Sequence, residues 1–212
     1  MPVAVFDLDG TVIRGNSFIG FLTECLMRRP ARVLRCLHLP IAVIVHLMGL
    51  RDNAWLKVAF LRAIVGGMTQ AQLESVAIAY ADKLLRSRLK PGAVEQLHDH
   101  LDRGFEVVLV SASPDLYVDE FAARLGMTSV ISTRVSWRGD RCLGSLDGEN
   151  CYGEEKLQRI KERIGRVDYA YSDHDSDLPM LLYAAHPVAV DPNRRLARLA
   201  RLHEIEVVQW AD

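Results

Sequence analysis

Asp7 and Asp9 stand two residues apart in the run Phe-Asp-Leu-Asp-Gly-Thr, directly after the apolar tetrapeptide 3–6. Farther along, Ser111 follows a second apolar run in Leu-Val-Ser-Ala-Ser, and Lys156 sits near the start of a helical stretch. Asp173, Asp175 and Asp177 punctuate Tyr-Ser-Asp-His-Asp-Ser-Asp. Carboxylates on neighbouring loops repel one another unless a cation sits among them, and Mg²⁺ takes a few carboxylates together with phosphate oxygens. An ammonium and a hydroxyl can then contact the phosphoryl oxygens that carboxylates alone would repel. A carboxylate can also attack phosphorus to give an aspartyl-phosphate. A second one, two residues on along a strand, points to the same face and can move protons. Singly, each residue has an ordinary explanation: Asp-Gly marks turns, serine caps helices, lysine is solvated, and a polar loop starts a helix. Their joint occurrence, each at a strand end or helix start, points to an active site for a phosphoryl group and magnesium.

The elements that must position these residues are legible in the hydrophobic pattern. Continuous apolar runs at 3–6, 105–110, 128–131, 167–171 and 187–190 predict strands covered on both faces. Helical stretches at 93–101, 115–125 and 154–164 separate most of them, opened by Pro91 and Ser113-Pro114 and stopped by Gly104, Gly126 and Gly165. Alternation of this kind predicts an α/β fold, a Rossmann-like parallel sheet with right-handed crossovers. Ligands in such sheets bind outside the carboxyl ends of the strands, where the residues above fall. Two stretches break the alternation. Residues 131–146 read as a hairpin turning at Arg138-Gly139-Asp140. Residues 12–90 carry helical signals without a strand, including a Thr69/Gln72 capping box ahead of an amphipathic helix over 70–88. This predicts a helical cap, 12–90, inserted into a core made of 1–11 and 91–212.

Composition narrows the function classes. Among 212 residues half are hydrophobic, and 26 Lys plus Arg nearly balance 27 Asp plus Glu. That balance, with aromatics at 7% and not interleaved with basic residues, argues against a nucleic-acid partner. Four cysteines without CxxC spacing read as reduced thiols of an intracellular, cytoplasmic protein. No signal peptide is read at the start, and no apolar run is long enough to span a bilayer. The nearest is 37–50, interrupted by His38, Pro40 and His46, preceded by Arg28, Arg29, Arg32 and Arg35 and followed by Arg51. It reads either as a peripheral membrane contact or as a buried or self-associating cap helix. His174 reads as a bystander, and 194–201 as a solvated helix opened by Asp191-Pro192.

Over almost its whole length the chain resembles the haloacid dehalogenase superfamily. Asp7-Leu8-Asp9-Gly10-Thr11 resembles its first motif, Ser111 the second, Lys156 the third, and Asp173 with Asp177 the fourth. The helical insertion is similar to the cap of the phosphoserine phosphatase-like branch. Ser111-Ala112-Ser113-Pro114 and the 171–181 stretch resemble a subfamily that includes a bacterial phosphatidylglycerophosphatase. The resemblance implies that Asp7 is the nucleophile and that Asp9 protonates the leaving oxygen and then activates water. It implies Mg²⁺ held by Asp7, the Asp9 main-chain carbonyl and Asp173, and phosphate held by Ser111, Ala112 and Lys156. Asp177, Gly10 and Thr11 support the site. Two positions depart from the phosphoserine pattern: Asn16 replaces a glutamate that reads the substrate amine, and Ser176 replaces an asparagine. A neutral Asn16 cannot pair with an ammonium group, which argues against phosphoserine as the substrate.

The expected activity is Mg²⁺-dependent hydrolysis of a small-molecule phosphomonoester. Two alternatives are a membrane-peripheral phosphatase acting on a lipid phosphomonoester and a non-catalytic regulatory or membrane-binding protein on the same scaffold. Transfer of the phosphoryl group to an acceptor other than water shares the first half-reaction. Arg14, Asn16, Ser17 and Phe18, close to Asp7 in sequence, are the candidate specificity residues.

Overall fold

The computed structural model describes residues 1–210. Six strands form one parallel sheet: β1 (Val3–Phe6), β2 (Glu106–Pro114), β3 (Ser129–Thr133), β6 (Tyr169–Ser172), β7 (His186–Val190) and β8 (Glu206–Val208). Their spatial order is β3-β2-β1-β6-β7-β8, so β1 lies inside the sheet, bonded to β2 and β6. The α/β fold is the one the apolar runs predict. β8 was not among the predicted strands, because a three-residue edge strand with Glu206 in it carries almost no apolar signal. β2 runs on to Pro114, and its register against β3 shifts between Ser111 and Pro114, at its carboxyl end.

Alternating residues of the strands feed two separate cores, as the period of two requires. Val3, Val5, Val108, Val110, Ala170 and Ala189 pack with α7 (Glu154–Arg163), α8 (Leu178–Tyr183) and α9 (Arg194–Leu202). Ala4, Phe6, Val107, Leu109 and Tyr171 face the other way, onto α5 (Pro91–Asp102) and α6 (Asp115–Arg124).

The second core does not stop at the sheet's own helices. Residues 12–90 form α1 (Ser17–Arg28), a 3-10 helix (Pro30–Cys36), α2 (Leu39–Leu47), α3 (Asn53–Ile64) and α4 (Gln70–Ser87). Their buried residues Phe21, Leu61, Leu73 and Leu84 belong to the same cluster as Phe6 and Phe121. Three of the starts are capped by a side chain: Asn16 accepts a hydrogen bond from the Ile19 amide, Asp52 from that of Trp55, and Thr69 with Gln72 closes the capping box. The segment leaves and rejoins the core where Ile13 bridges Leu89. The hairpin of β4 (Val135–Arg138) and β5 (Arg141–Leu146) sides with the cap, since Gly67 and Gln70 donate main-chain hydrogen bonds to Cys142 and Asp140.

Phe21 of α1 is fully buried and stacks on Tyr117 of α6, with ring centroids 4.6 Å apart. Phe21→Ala should therefore lower the unfolding free energy of the whole chain by about 3–5 kcal/mol. Urea unfolding should remain a single transition; a separate early transition for the cap helices would contradict a shared core.

Candidate active site

Asp7 directly follows β1, and its amide donates to the Tyr171 carbonyl of β6 at 3.0 Å, which fixes its carboxyl group at the carboxyl edge of the sheet. The chain then turns through Gly10, at φ +86°, a left-handed conformation that favours glycine. Space demands glycine as well: a Cβ there would lie 2.1 Å from a carboxylate oxygen of Asp173. The first and fourth motifs thus touch at the one residue without a side chain. Thr11 ties the same pieces together, accepting from the Asp173 amide at 2.9 Å and donating toward Asp7 and Asp173 at 3.4 and 3.3 Å.

Lys156 enters from the first turn of α7, capped by Gly153 at φ +59°. Its ammonium is buried and donates to Asp7 Oδ1 and Asp177 Oδ2, each at 2.7 Å. Burial disfavours that charge, yet the carboxylates of Asp177 and Asp7 outweigh it and hold Lys156 well above the usual lysine range. Asp7 moves upward too, because burial, Asp177 and Asp173 prevail over Lys156. Asp173 is raised by burial, with Asp177 adding to it and His174 opposing. Ser172 Oγ donates to Asp177 Oδ2 at 2.7 Å, which orients the residue that orients Lys156.

Asp9 is held differently. Its carboxylate turns toward the cap, accepting from the Ser17 amide at the N-terminus of α1 and from Ser113 Oγ at 2.7 Å. Ser17 Oγ in turn meets Tyr117 OH at 2.8 Å, and Tyr80 OH donates to the Ser17 carbonyl at 2.8 Å. A helix start and a chain of hydroxyls therefore fix the orientation of the Asp9 carboxyl group.

These groups line a cleft of about 280 Å³, which takes in Asp7, Asp9, Ser111, Ala112, Lys156 and Asp177 on the core side. Asn16, Phe18, Asn53 and Lys57 line it from the cap, and Ser113, Tyr152, His174 and Ser176 complete the lining on the core side. Ser17 is buried under Asp9 and absent from the lining; Arg14 lies exposed outside it. Asp173 sits behind Gly10, against Thr11.

Two lysines at the site escaped the sequence reading. Lys57, on α3, buries its stem and donates to the Ala112 carbonyl and to Asn150 Oδ1, with Phe18 beneath it at 5.9 Å. Burial lowers its pKa to about 8. Its signal was a lone charge inside the apolar helical run 54–61. Lys90, buried before α5, donates to the Gly10 carbonyl and to Asp191 Oδ2. Asp191 thus anchors the first motif's turn rather than merely opening a solvated helix, and it does so at φ +42°.

The donor set suits a hard cation. Asp7 and Asp173 offer carboxylates and Asp9 a main-chain carbonyl, oxygens of the type Mg²⁺ prefers. Burial, and then neighbouring carboxylates, raise both groups, and a cation between them would relieve the repulsion part of that shift. Among the described residues no group of three or more acidic, histidine or cysteine side chains is placed to hold a metal ion, and Asp9 could contribute only its main-chain carbonyl. Few carboxylates leave coordination positions for water and phosphate oxygens, which Mg²⁺ keeps.

Comparison with known proteins agrees with this arrangement. Protein CicA of Caulobacter vibrioides is 38% identical over 186 residues, covering 86% of this chain and 82% of that protein. A Bordetella pertussis protein of unknown function superposes with a TM-score of 0.84 at 22% identity, covering 98% of this chain and 97% of that one. A phosphoserine phosphatase solved as an analogue of its phospho-aspartyl intermediate superposes with a TM-score of 0.63 at 15% identity, covering 100% and 93%. The model of the haloacid dehalogenase-like hydrolases matches residues 4–182, a span that includes Asp7, Asp9, Ser111, Lys156, Asp173 and Asp177. The chain belongs to that family of hydrolases.

Proposed function

We propose that this hydrolase is a phosphatase that cleaves phosphomonoesters through an aspartyl-phosphate on Asp7, with Mg²⁺ as cofactor. The observation that carries the reading is the Lys156 ammonium at 2.7 Å from Asp7, at the floor of a cleft that also contains Ser111 and Asp9. In the first step an Asp7 oxygen forms a bond to phosphorus while the bond to the leaving oxygen breaks, and Asp9 supplies that oxygen's proton. In the second, Asp9 takes a proton from water, the water oxygen bonds to phosphorus, and the Asp7–phosphorus bond breaks to release phosphate. Ser111, the Ala112 main chain and Lys156 hold the phosphoryl oxygens. Asp7, Asp173 and the Asp9 carbonyl would hold Mg²⁺, which would supply neutralisation of the charge on those oxygens.

Phosphate release should stop in EDTA and return with Mg²⁺. Asp173→Asn should raise the Mg²⁺ concentration needed by about tenfold or more, because it removes one of two carboxylate ligands. Asp7→Asn should lower kcat by roughly four orders of magnitude. It should not lower the melting temperature, since burial already disfavours the charge it removes and Lys156 keeps Asp177. Full activity in Asp7→Asn would sink the aspartyl-phosphate route.

Lys57 is the one ammonium on the cap wall of the cleft, and it faces Phe18 and neutral Asn16 and Asn53. A wall of this composition favours a leaving group bearing an anionic or hydrogen-bond-accepting group over one bearing an amine. Lys57→Met should raise KM about tenfold and leave kcat nearly unchanged. Lys57 carries its proton below about 8 and loses it above, so KM should climb as pH passes through that value. In Lys57→Met the climb should vanish; its persistence would assign the titration to another group.

A further inference from the structure

We propose that the outer face of α2 and the 3-10 helix before it is a docking surface for anionic lipid bilayers, independent of which phosphomonoester the cleft accepts. α2 touches the rest of the cap through Leu39 and Ala42, its two buried residues. The opposite side presents Leu34, Leu37, Ile41, Ile44, Leu47 and Met48, each more than half exposed. Single apolar residues on a surface need no explanation, but a contiguous stripe of this size marks an interaction site.

The charge around the stripe selects the occupant. From residue 25 to residue 51 the chain has five arginines, Arg28, Arg29, Arg32, Arg35 and Arg51, and no Asp or Glu. Among the described residues none of the five is in an ion pair. Arg32 and Arg35 donate to the carbonyls of Arg62, Ile64 and Gly66 at the end of α3, and Arg28 to Ser75. Their charges are fixed at the surface without being neutralised. At the other end of α2, Arg51 lies over the Trp55 ring at 5.9 Å. An apolar stripe with cations at both ends matches the acyl boundary of a bilayer beneath anionic headgroups. A second copy of the chain fits poorly. A two-fold contact over the stripe would bring together two copies of a stretch, 25–51, that holds five arginines and no carboxylate.

The geometry makes α2 lie in the interface rather than cross it. No single helix among the described residues is long and apolar enough to span, and α2 has nine residues, about 14 Å of helix. The 3-10 helix meets it at a 44° bend, and Leu39 and Ala42 keep it attached to the cap. Asn53, the first residue of α3 just past this surface, lines the active-site cleft, so a docked bilayer would lie beside the cleft mouth.

Sedimentation of the full chain with vesicles tests the proposal. The protein should bind vesicles of mixed phosphatidylcholine and phosphatidylglycerol, release from them as salt rises, and bind pure phosphatidylcholine weakly. Arg51→Gln should weaken partitioning about fivefold. The double variant Ile41→Asp/Ile44→Asp should weaken it about a hundredfold. Both isoleucines are exposed, so its melting temperature should match the wild type and separate lost binding from lost folding. Wild-type protein left in the supernatant with anionic vesicles, or binding unchanged in the double variant, would overturn the proposal. So would a dimer in light scattering that the double variant dissociates, because a second copy would then own the surface.

Discussion

Lys156 is fully enclosed, and its ammonium answers two carboxylates that arrive from distant parts of the chain, Asp7 after β1 and Asp177 before α8. Removing that cation would leave buried carboxylates facing one another with Asp173 close by, a cost of several kcal/mol. The constraint propagates outward. α7 must begin where its first turn can reach both acids, which Gly153 permits through its left-handed backbone. β1 and β6 must be neighbours so that their ends bring the first and fourth motifs together, and the hydrogen bond from Asp7 to Tyr171 fixes that register. Gly10 must lack a side chain so that Asp173 can close the ring. Three acids thus crowd one buried ammonium, and burial together with their mutual repulsion raises the pKa of Asp7 and Asp173.

Asp9 shows the same economy at the cap boundary. Its carboxyl group is oriented by neutral donors rather than by a lysine. Ser17, Ser113, Tyr117 and Tyr80 come from α1, the end of β2, α6 and α4, so Asp9 is positioned jointly by cap and core. The aromatic contacts of Phe21 with Tyr80 and Tyr117 underlie that network. Cap placement and the orientation of Asp9 therefore share one packed interface. A shift of α1 large enough to open the cleft would also disturb Asp9.

The parts of this structure that announce themselves in the sequence are those whose cause is local. The apolar runs of the central strands, the Thr69/Gln72 capping box, the Arg138-Gly139-Asp140 turn and the first motif's Asp-Leu-Asp-Gly all have their signal within a few residues. Lys57 and Lys90 were illegible for the opposite reason. Each is a lone lysine whose burial depends on partners 55 and 80 residues away in sequence, respectively. Ser17 and Arg14 illustrate the limit from the other side. Nearness to Asp7 in sequence suggested that they face the cleft, but a helix start turns Ser17 beneath Asp9 and leaves Arg14 outside. β8 carried too few residues and too much charge to be read as a strand at all.

The stretch 37–50 was legible as apolar but not as inside or outside, because composition is the same for a buried helix and an interfacial one. Packing decides it. A helix becomes core only where enough neighbours surround it, and α2 has α3 on one side and the remaining face bare. The arginines that sequence spacing put beside this stretch then acquire a structural meaning, since two of them cap the carbonyl end of α3 and cannot swing away. Buried charge is thus concentrated at the strand ends, around Lys156. The cap turns Asn16, Phe18, Asn53 and Lys57 inward to the cleft and the apolar face of α2 outward. α3 takes part in both, since it supplies Asn53 and Lys57 to the cleft and Trp55 beneath Arg51 at the edge of the outer face.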